Sequence, residues 1–204
     1  MHRIFDSENR FWYWFGKIAD IILLSCLWLL CSLPVLTAGA ASIALYDTVA
    51  HCVRGPDDDT YSRFFRTFKA ELLRGMGITV LWLLLATILG ISFGVLLKMA
   101  QESTAAAVYA IAFGVTMLIP TGVLCWLLPL ESRFTHKFFD LHKTAVYFTF
   151  GHLPTTGAIV ALFVACAAAI SYYTFLIFCL PATMVCLQSW FIEKVFAQYI
   201  PKEE

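Results

Sequence analysis

Charged residues are scarce in this sequence. Only 14% of its 204 residues are charged and 60% are hydrophobic, whereas a soluble domain is about 25% charged and about 45–50% apolar. Acidic and basic residues balance at 14 each, so the basic excess typical of nucleic-acid-binding proteins is missing. Because so apolar a chain needs an apolar solvent, we expect a membrane protein that contacts lipids and binds no nucleic acid.

Sequence motifs for catalysis, metal binding and ATP hydrolysis are also missing. The chain has no H-E-x-x-H, no G-x-S-x-G and no G-x-x-x-x-G-K-[ST] pattern. Its seven cysteines include no C-x-x-C pair, so we expect buried thiols rather than a zinc site. We therefore predict no catalytic residue, no metal and no cofactor, in a protein that is not an enzyme and cannot drive transport with ATP by itself.

Long uncharged stretches are the main feature that is present. A membrane-spanning helix needs about 20 predominantly apolar residues. We predict an all-α, polytopic helical bundle with five clear spans: one each in 18–36, 76–97 and 105–130, and two in 153–192 with a turn near 171–174. Residues 1–204 are expected to form a single transmembrane domain.

The stretch 38–53 is shorter and raises the question of a sixth span. As a helix it is about 24 Å long, and it either crosses the membrane, re-enters it or lies at the interface. Cytoplasmic loops carry an excess of Lys and Arg. If 38–53 crosses, 13 of the 14 basic residues fall on one side. We therefore favour six crossings in a multi-pass cell-membrane protein with both termini in the cytoplasm.

Two segments, 61–74 and 133–147, have the periodicity of amphipathic interfacial helices. Each places aromatic residues on one face and cations on the other, and the six-span topology puts both in the cytoplasm. We predict that their cations contact a docking partner or lipid headgroups: Arg63, Arg66, Lys69, Arg74, Arg133, Lys137 and Lys143.

These two segments also align with each other. The R-F-F sequence at 63–65 matches K-F-F at 137–139, at an offset of 74 residues. Internal repeats are common among transporters, which favours a duplication with halves near 1–100 and 101–204. Two independent interfacial helices of ordinary composition explain the match equally well, and both alternatives stay open.

Ionisable residues inside the short apolar stretch indicate a second candidate site. Asp47 and His51 are four residues apart, so they share a helix face and can hydrogen-bond to each other. Pro34 and Gly39 interrupt the preceding helix, as in the broken helices of transporters, and Tyr46 is adjacent. These five residues form a candidate intramembrane polar site. The alternative is a short helix near the interface, where Asp47 and His51 contact water.

Four stretches carry a resemblance to a known family: 18–49, which includes LCSLPVLTAGAASIALY, then 63–72, 131–148 and 152–156. In these the chain resembles the YesL family of bacterial membrane proteins. The resemblance implies a bacterial cytoplasmic membrane and genes beside carbohydrate ABC-transporter components, which are therefore the expected partners. It implies no catalytic or binding residue.

Three functions follow as hypotheses. The first is an accessory or permease-like component of ABC-type carbohydrate uptake. The second is a structural or regulatory membrane scaffold. The third is an intramembrane enzyme in which Asp47 and His51 transfer protons. The sequence does not predict the oligomeric state.

Overall fold

The computed structural model of the protein describes residues 10–54, 59–134 and 138–198, with side chains from residue 16 onward. This part of the chain is helical and contains no strand, which confirms the all-α prediction. The helices are α1 (Arg10–Ser32), α2 (Ala38–Thr48), α3 (Thr60–Ala70), α4 (Leu72–Met99), α5 (Thr104–Thr116), α6 (Leu118–Arg133), α7 (Phe138–Gly151), α8 (Leu153–Tyr172) and α9 (Leu180–Phe196). Short 3-10 turns, Val35–Thr37 and Thr174–Phe178, precede α2 and α9.

Three helical segments of the described chain are long and apolar enough, by length and composition, to cross a membrane. They are α4, the continuous stretch of α5 and α6 (Thr104–Arg133) and α8. Their windows are mostly unburied within the bundle, as expected of helices whose sides face lipid. The chain is therefore a helical membrane protein. Crossings by α1, α2 and α9 stay predictions, as does the orientation of the termini.

Helix α2 occupies the centre of the bundle. It contacts α1, α3, α4, α6 and α9, and nearly all of its residues are buried. The alanines Ala40, Ala41 and Ala44 have no exposed surface, because small side chains let neighbouring helices approach closely. The helix continues through a π-helical turn, Val49–Val53. The short stretch 38–53 is thus helical throughout and buried within protein.

The closest approach to α2 is made by the first turn of α4. A Cβ atom built at Gly39 would lie 2.5 Å from the Gly75 carbonyl oxygen, and one built at Gly75 would overlap the backbone of Ala40. The Gly39 N–H donates to Thr79 Oγ1 at 2.9 Å. Glycine at both positions is therefore what allows α2 and α4 to cross backbone against backbone.

Both predicted amphipathic segments are divided in the structure, and their boundaries need correction. Segment 61–74 breaks at Glu71, so that α3 ends at Ala70 and Arg74 belongs to α4. Segment 133–147 breaks at Phe134, whose extended backbone ends α6. Arg133 therefore closes α6, while Lys143 lies on α7. Lys137 is outside the described residues.

Candidate functional site: a charged network at one end of the bundle

Asp47, on the buried central helix, is the acceptor around which the candidate site is built. Arg63 of α3 donates to it twice, from Nε to Oδ2 at 2.9 Å and from Nη2 to Oδ1 at 3.1 Å. The Thr67 hydroxyl, one turn further along α3, donates to Oδ2 at 2.8 Å. The Asp47 side chain is only 8% exposed and that of Arg63 19%. Such a two-point ion pair fixes the orientation of α3 against α2 as well as neutralising the charge.

His51 continues the network from α2 toward α6. Its Nδ1 lies 3.1 Å from Asp47 Oδ1 and 2.9 Å from the Asp47 carbonyl oxygen. Its Nε2 lies 3.2 Å from Arg133 Nη1. Because a guanidinium nitrogen only donates, Nε2 must accept, and these partners assign the ring proton to Nδ1. The contacts are those of the tautomer in which Nδ1 donates to Asp47 and Nε2 accepts from Arg133.

Arg133 and Glu193 complete the network between α6 and α9. Arg133 donates to Glu193 Oε1 from Nε at 3.1 Å and from Nη2 at 2.8 Å. The buried Tyr46 hydroxyl donates to the same oxygen at 3.2 Å. The charged network is thus Tyr46, Asp47, His51, Arg63, Arg133 and Glu193, and it joins α2, α3, α6 and α9.

Two further hydrogen bonds fasten the same end of the bundle. Arg54, directly after the π-helical turn, donates from Nη1 to Ser189 Oγ of α9 at 3.0 Å. Lys17 of α1 donates from Nζ to the Cys52 carbonyl oxygen. The π-helical turn that ends the central helix is therefore held from both α1 and α9.

In this arrangement the charged side chains are paired with one another rather than exposed as reactive groups. Asp47 and Glu193 each accept from several donors, and both nitrogens of His51 are engaged. In the described part of the chain, no group of three or more His, Cys, Asp or Glu residues is placed to hold a metal. Ion pairs and hydrogen bonds that link side chains of four helices favour one packing of those helices, so this network holds α2, α3, α6 and α9 in register.

The structure brings together some of the predicted site residues and separates others. Tyr46, Asp47 and His51 of the predicted polar site meet Arg63 and Arg133 of the predicted cationic surface, and the predicted Asp47–His51 contact is present. The remaining predicted residues lie elsewhere: exposed Pro34 in the turn before α2, Gly39 at the crossing with α4, exposed Arg66, Lys69 and Lys143, and Arg74, which pairs with Glu131.

Glu193 and Thr67 belong to the site but were not singled out from the sequence. In the sequence, Glu193 directly follows the uncharged stretch 153–192 and marks its end. Its signal is an acidic residue in the last turns of a helix that is mostly apolar, four positions after Ser189. Thr67 gave no such signal, since threonine is common on the polar face of a helix.

Comparison with known proteins gives one finding. Residues 21–93, which include the first part of the charged network, match the family model described as Protein of unknown function, DUF624. This match confirms the resemblance to the YesL family, whose members contain that domain. The searches of curated proteins and of solved structures gave no match.

Proposed function

We propose that this protein is a noncatalytic accessory component of a membrane assembly, and that it binds its partner through the outer face of α3. The observation that carries the proposal is the contrast between neighbouring cations on that helix. Arg63 is bound to Asp47, whereas Arg66 and Lys69 are exposed. Helix α3 is thereby fixed to the bundle on one side and presents a basic surface on the other.

A rigid platform favours partner binding over loose attachment to lipid. Phe64, the central aromatic residue of α3, is fully buried in the bundle, so it is unavailable to anchor the helix in a bilayer. An interfacial anchor would instead bury its aromatic face in the headgroup region. Opposite charge across an interface steers association and excludes wrong partners, so the partner expected here has an acidic surface.

The partner we propose is a component of an ABC-type carbohydrate transporter. The resemblance to the YesL family supports this identity, and the missing nucleotide-binding motif requires that any ATP-driven activity come from another subunit. The ion-paired carboxylates of the charged network support a noncatalytic role over the proton-transfer enzyme. A structural or regulatory scaffold is the second candidate, favoured by the network that locks α2, α3, α6 and α9 together.

The proposal is tested by capturing partners of the tagged full chain from its native membrane. The double variant Arg66→Glu/Lys69→Glu reverses the basic surface of α3, while Lys143→Glu reverses an exposed cation on α7 as a matched control. We expect mass spectrometry to recover ABC-transporter components with the parent chain and the control. With the double variant their recovery should fall at least about tenfold, since like charges across an interface repel strongly.

Other results would separate the candidates. Recovery of the transporter components with all three chains would place the contact away from α3. A parent chain that captures no transporter component would contradict the uptake role, and consistent capture of a different membrane protein through Arg66 and Lys69 would favour the scaffold.

A further inference from the structure

An apolar cavity of about 260 Å³ lies inside the bundle and shares Tyr46 with the charged network. Residues of α1, α2, α6, α8 and α9 line it, among them Leu45, Phe163 and Met184. Polar side chains on the lining already have partners: Trp28 donates to Ser42 Oγ at 3.0 Å, Ser42 to the Ala38 carbonyl oxygen at 2.8 Å, Tyr46 to Glu193, and Gln188 Nε2 to the Ile159 carbonyl oxygen at 3.4 Å. The cavity therefore offers few polar partners to a ligand.

Water is a poor occupant for such a space. A buried water needs about two to four polar partners, and apolar cavities of about 150 Å³ stay dry and bind small apolar molecules. An empty cavity is also costly, because the lining atoms lose their dispersion contacts. An apolar guest of matching shape would restore those contacts.

The shape of the cavity indicates a linear guest. Leu180 and Gln188 both line it, and they are eight residues apart on α9, which corresponds to about 12 Å along the helix axis. Phe163 and Ile170 line it over a comparable length of α8. The cavity is therefore elongated parallel to the helices that cross the membrane.

The opening of the cavity identifies the source of the guest. Ala167 of α8 lines the cavity and is exposed, and Leu124 and Ile170 beside it are half-buried. Helix α8 is one of the segments long and apolar enough to cross a membrane. The surface around the opening therefore faces lipid hydrocarbon, which supplies linear apolar chains.

We propose that this cavity binds one hydrocarbon chain of a membrane lipid, inserted past Ala167 between the helices. The chain enters from hydrocarbon, so hydrophobic transfer contributes little. Binding is driven by the contacts that the chain makes in a space that would otherwise be empty. The lipid then acts as a structural ligand that packs α8 and α9 against the central helix.

Photocrosslinking of the full chain tests this directly. The protein is reconstituted in phosphatidylcholine vesicles that contain a small fraction of phosphatidylcholine with a diazirine at the end of one acyl chain. Leu45 is the decisive reporter, because it lines the cavity and is only 2% exposed. Lipid on the outside of the bundle cannot reach it, whereas a chain in the cavity contacts it.

Matched variants on α8 provide the control. Ala167→Phe fills the opening, while Ala168→Phe places the same ring at the next exposed position of the helix, which does not line the cavity. We expect crosslinks at Leu45 and Met184 in the parent chain and in Ala168→Phe, and about a tenfold loss in Ala167→Phe. Ala167→Leu, a smaller filling, gives the same comparison if the phenylalanine variant does not fold.

Two results would overturn the proposal. One is a parent chain whose crosslinks lie only on exposed residues such as Leu84 and Ile88 of α4. The other is crosslinking at Leu45 that neither filling variant at position 167 reduces. Both readouts are independent of any partner, so their failure leaves the proposed docking surface on α3 untouched.

Discussion

Helices α3 and α7 look alike in sequence, but their aromatic residues have different surroundings. Phe64 of α3 has no exposed surface and stacks on Phe68 at a centroid distance of 6.3 Å. In the alignment at an offset of 74 residues, Phe138 and Phe139 of α7 correspond to Phe64 and Phe65. These two residues of α7 are 39% and 79% exposed. The same pattern of basic and aromatic residues thus buries the leading phenylalanine in α3 and leaves it exposed in α7, which packs on the bundle through other residues such as Leu141, Ala145 and Phe148.

The difference between the two helices originates in what faces them. Asp47 of the central helix α2 faces α3. It binds Arg63 of α3 and so holds that helix against α2. Lys143 of α7 is exposed, and this helix packs on α6 through its apolar residues. Amphipathic periodicity therefore indicates which residues share a face, but contacts supplied by other helices decide which of those residues are buried. The proposed internal duplication stays a prediction.

The largest expected effect comes from comparing one buried and one exposed aromatic residue of the two helices. Phe64→Ala should lower the free energy of unfolding by about 4 kcal/mol, because it leaves a cavity in a fully buried site. Phe139→Ala should change it by less than about 0.5 kcal/mol, since that ring is mostly exposed. Denaturant titration in mild detergent micelles measures both. Equal losses in the two variants would mean that α7 is buried against something other than lipid.

A somewhat smaller effect is expected from the ion pair. Arg63→Ala removes the partner of a buried carboxylate and should cost about 3 kcal/mol in the free energy of unfolding. Arg66→Ala, one turn away and exposed, should cost less than about 0.5 kcal/mol. The same micellar titration compares them.

A double-mutant cycle shows whether the ion pair itself is responsible. Asp47→Asn combined with Arg63→Ala should cost clearly less than the sum of the two single changes, because neither charge is then left unpaired. Strict additivity would show that the arginine stabilises α3 by packing alone.

Much of the fold is readable in the sequence because it follows from local pattern. Long uncharged stretches predicted α4, α8 and the α5–α6 stretch, and the spacing of four residues predicted the contact between Asp47 and His51. Each of these depends on residues close together in the chain. The helix geometry that relates them is the same in every protein.

The rest of the site is not readable because its contacts join distant parts of the chain. From the sequence, Arg63 and Arg133 are predicted to contact a docking partner or lipid headgroups, since their periodicity places them on polar faces. Asp47 and Glu193, far away in sequence, bind them in the structure. Gly39 was likewise interpreted as a helix interruption, whereas its role is set by Gly75, which crosses it.

The smallest expected effect tests the contact between Gly39 and Gly75, which places α4 against the central helix. A methyl group at Gly75 would overlap the backbone of Ala40, which cannot move as a flexible side chain does. Gly75→Ala should therefore lower the free energy of unfolding by about 2 kcal/mol, as overpacking does.

On the same helix, nothing lies within 4 Å of a Cβ built at Gly90, so Gly90→Ala should stabilise the protein by up to about 1 kcal/mol through helix propensity. We therefore expect the same change, glycine to alanine, to alter the free energy of unfolding with opposite signs at the two positions, as measured by unfolding in micelles. A stabilising Gly75→Ala would mean that α4 does not cross α2 at this point.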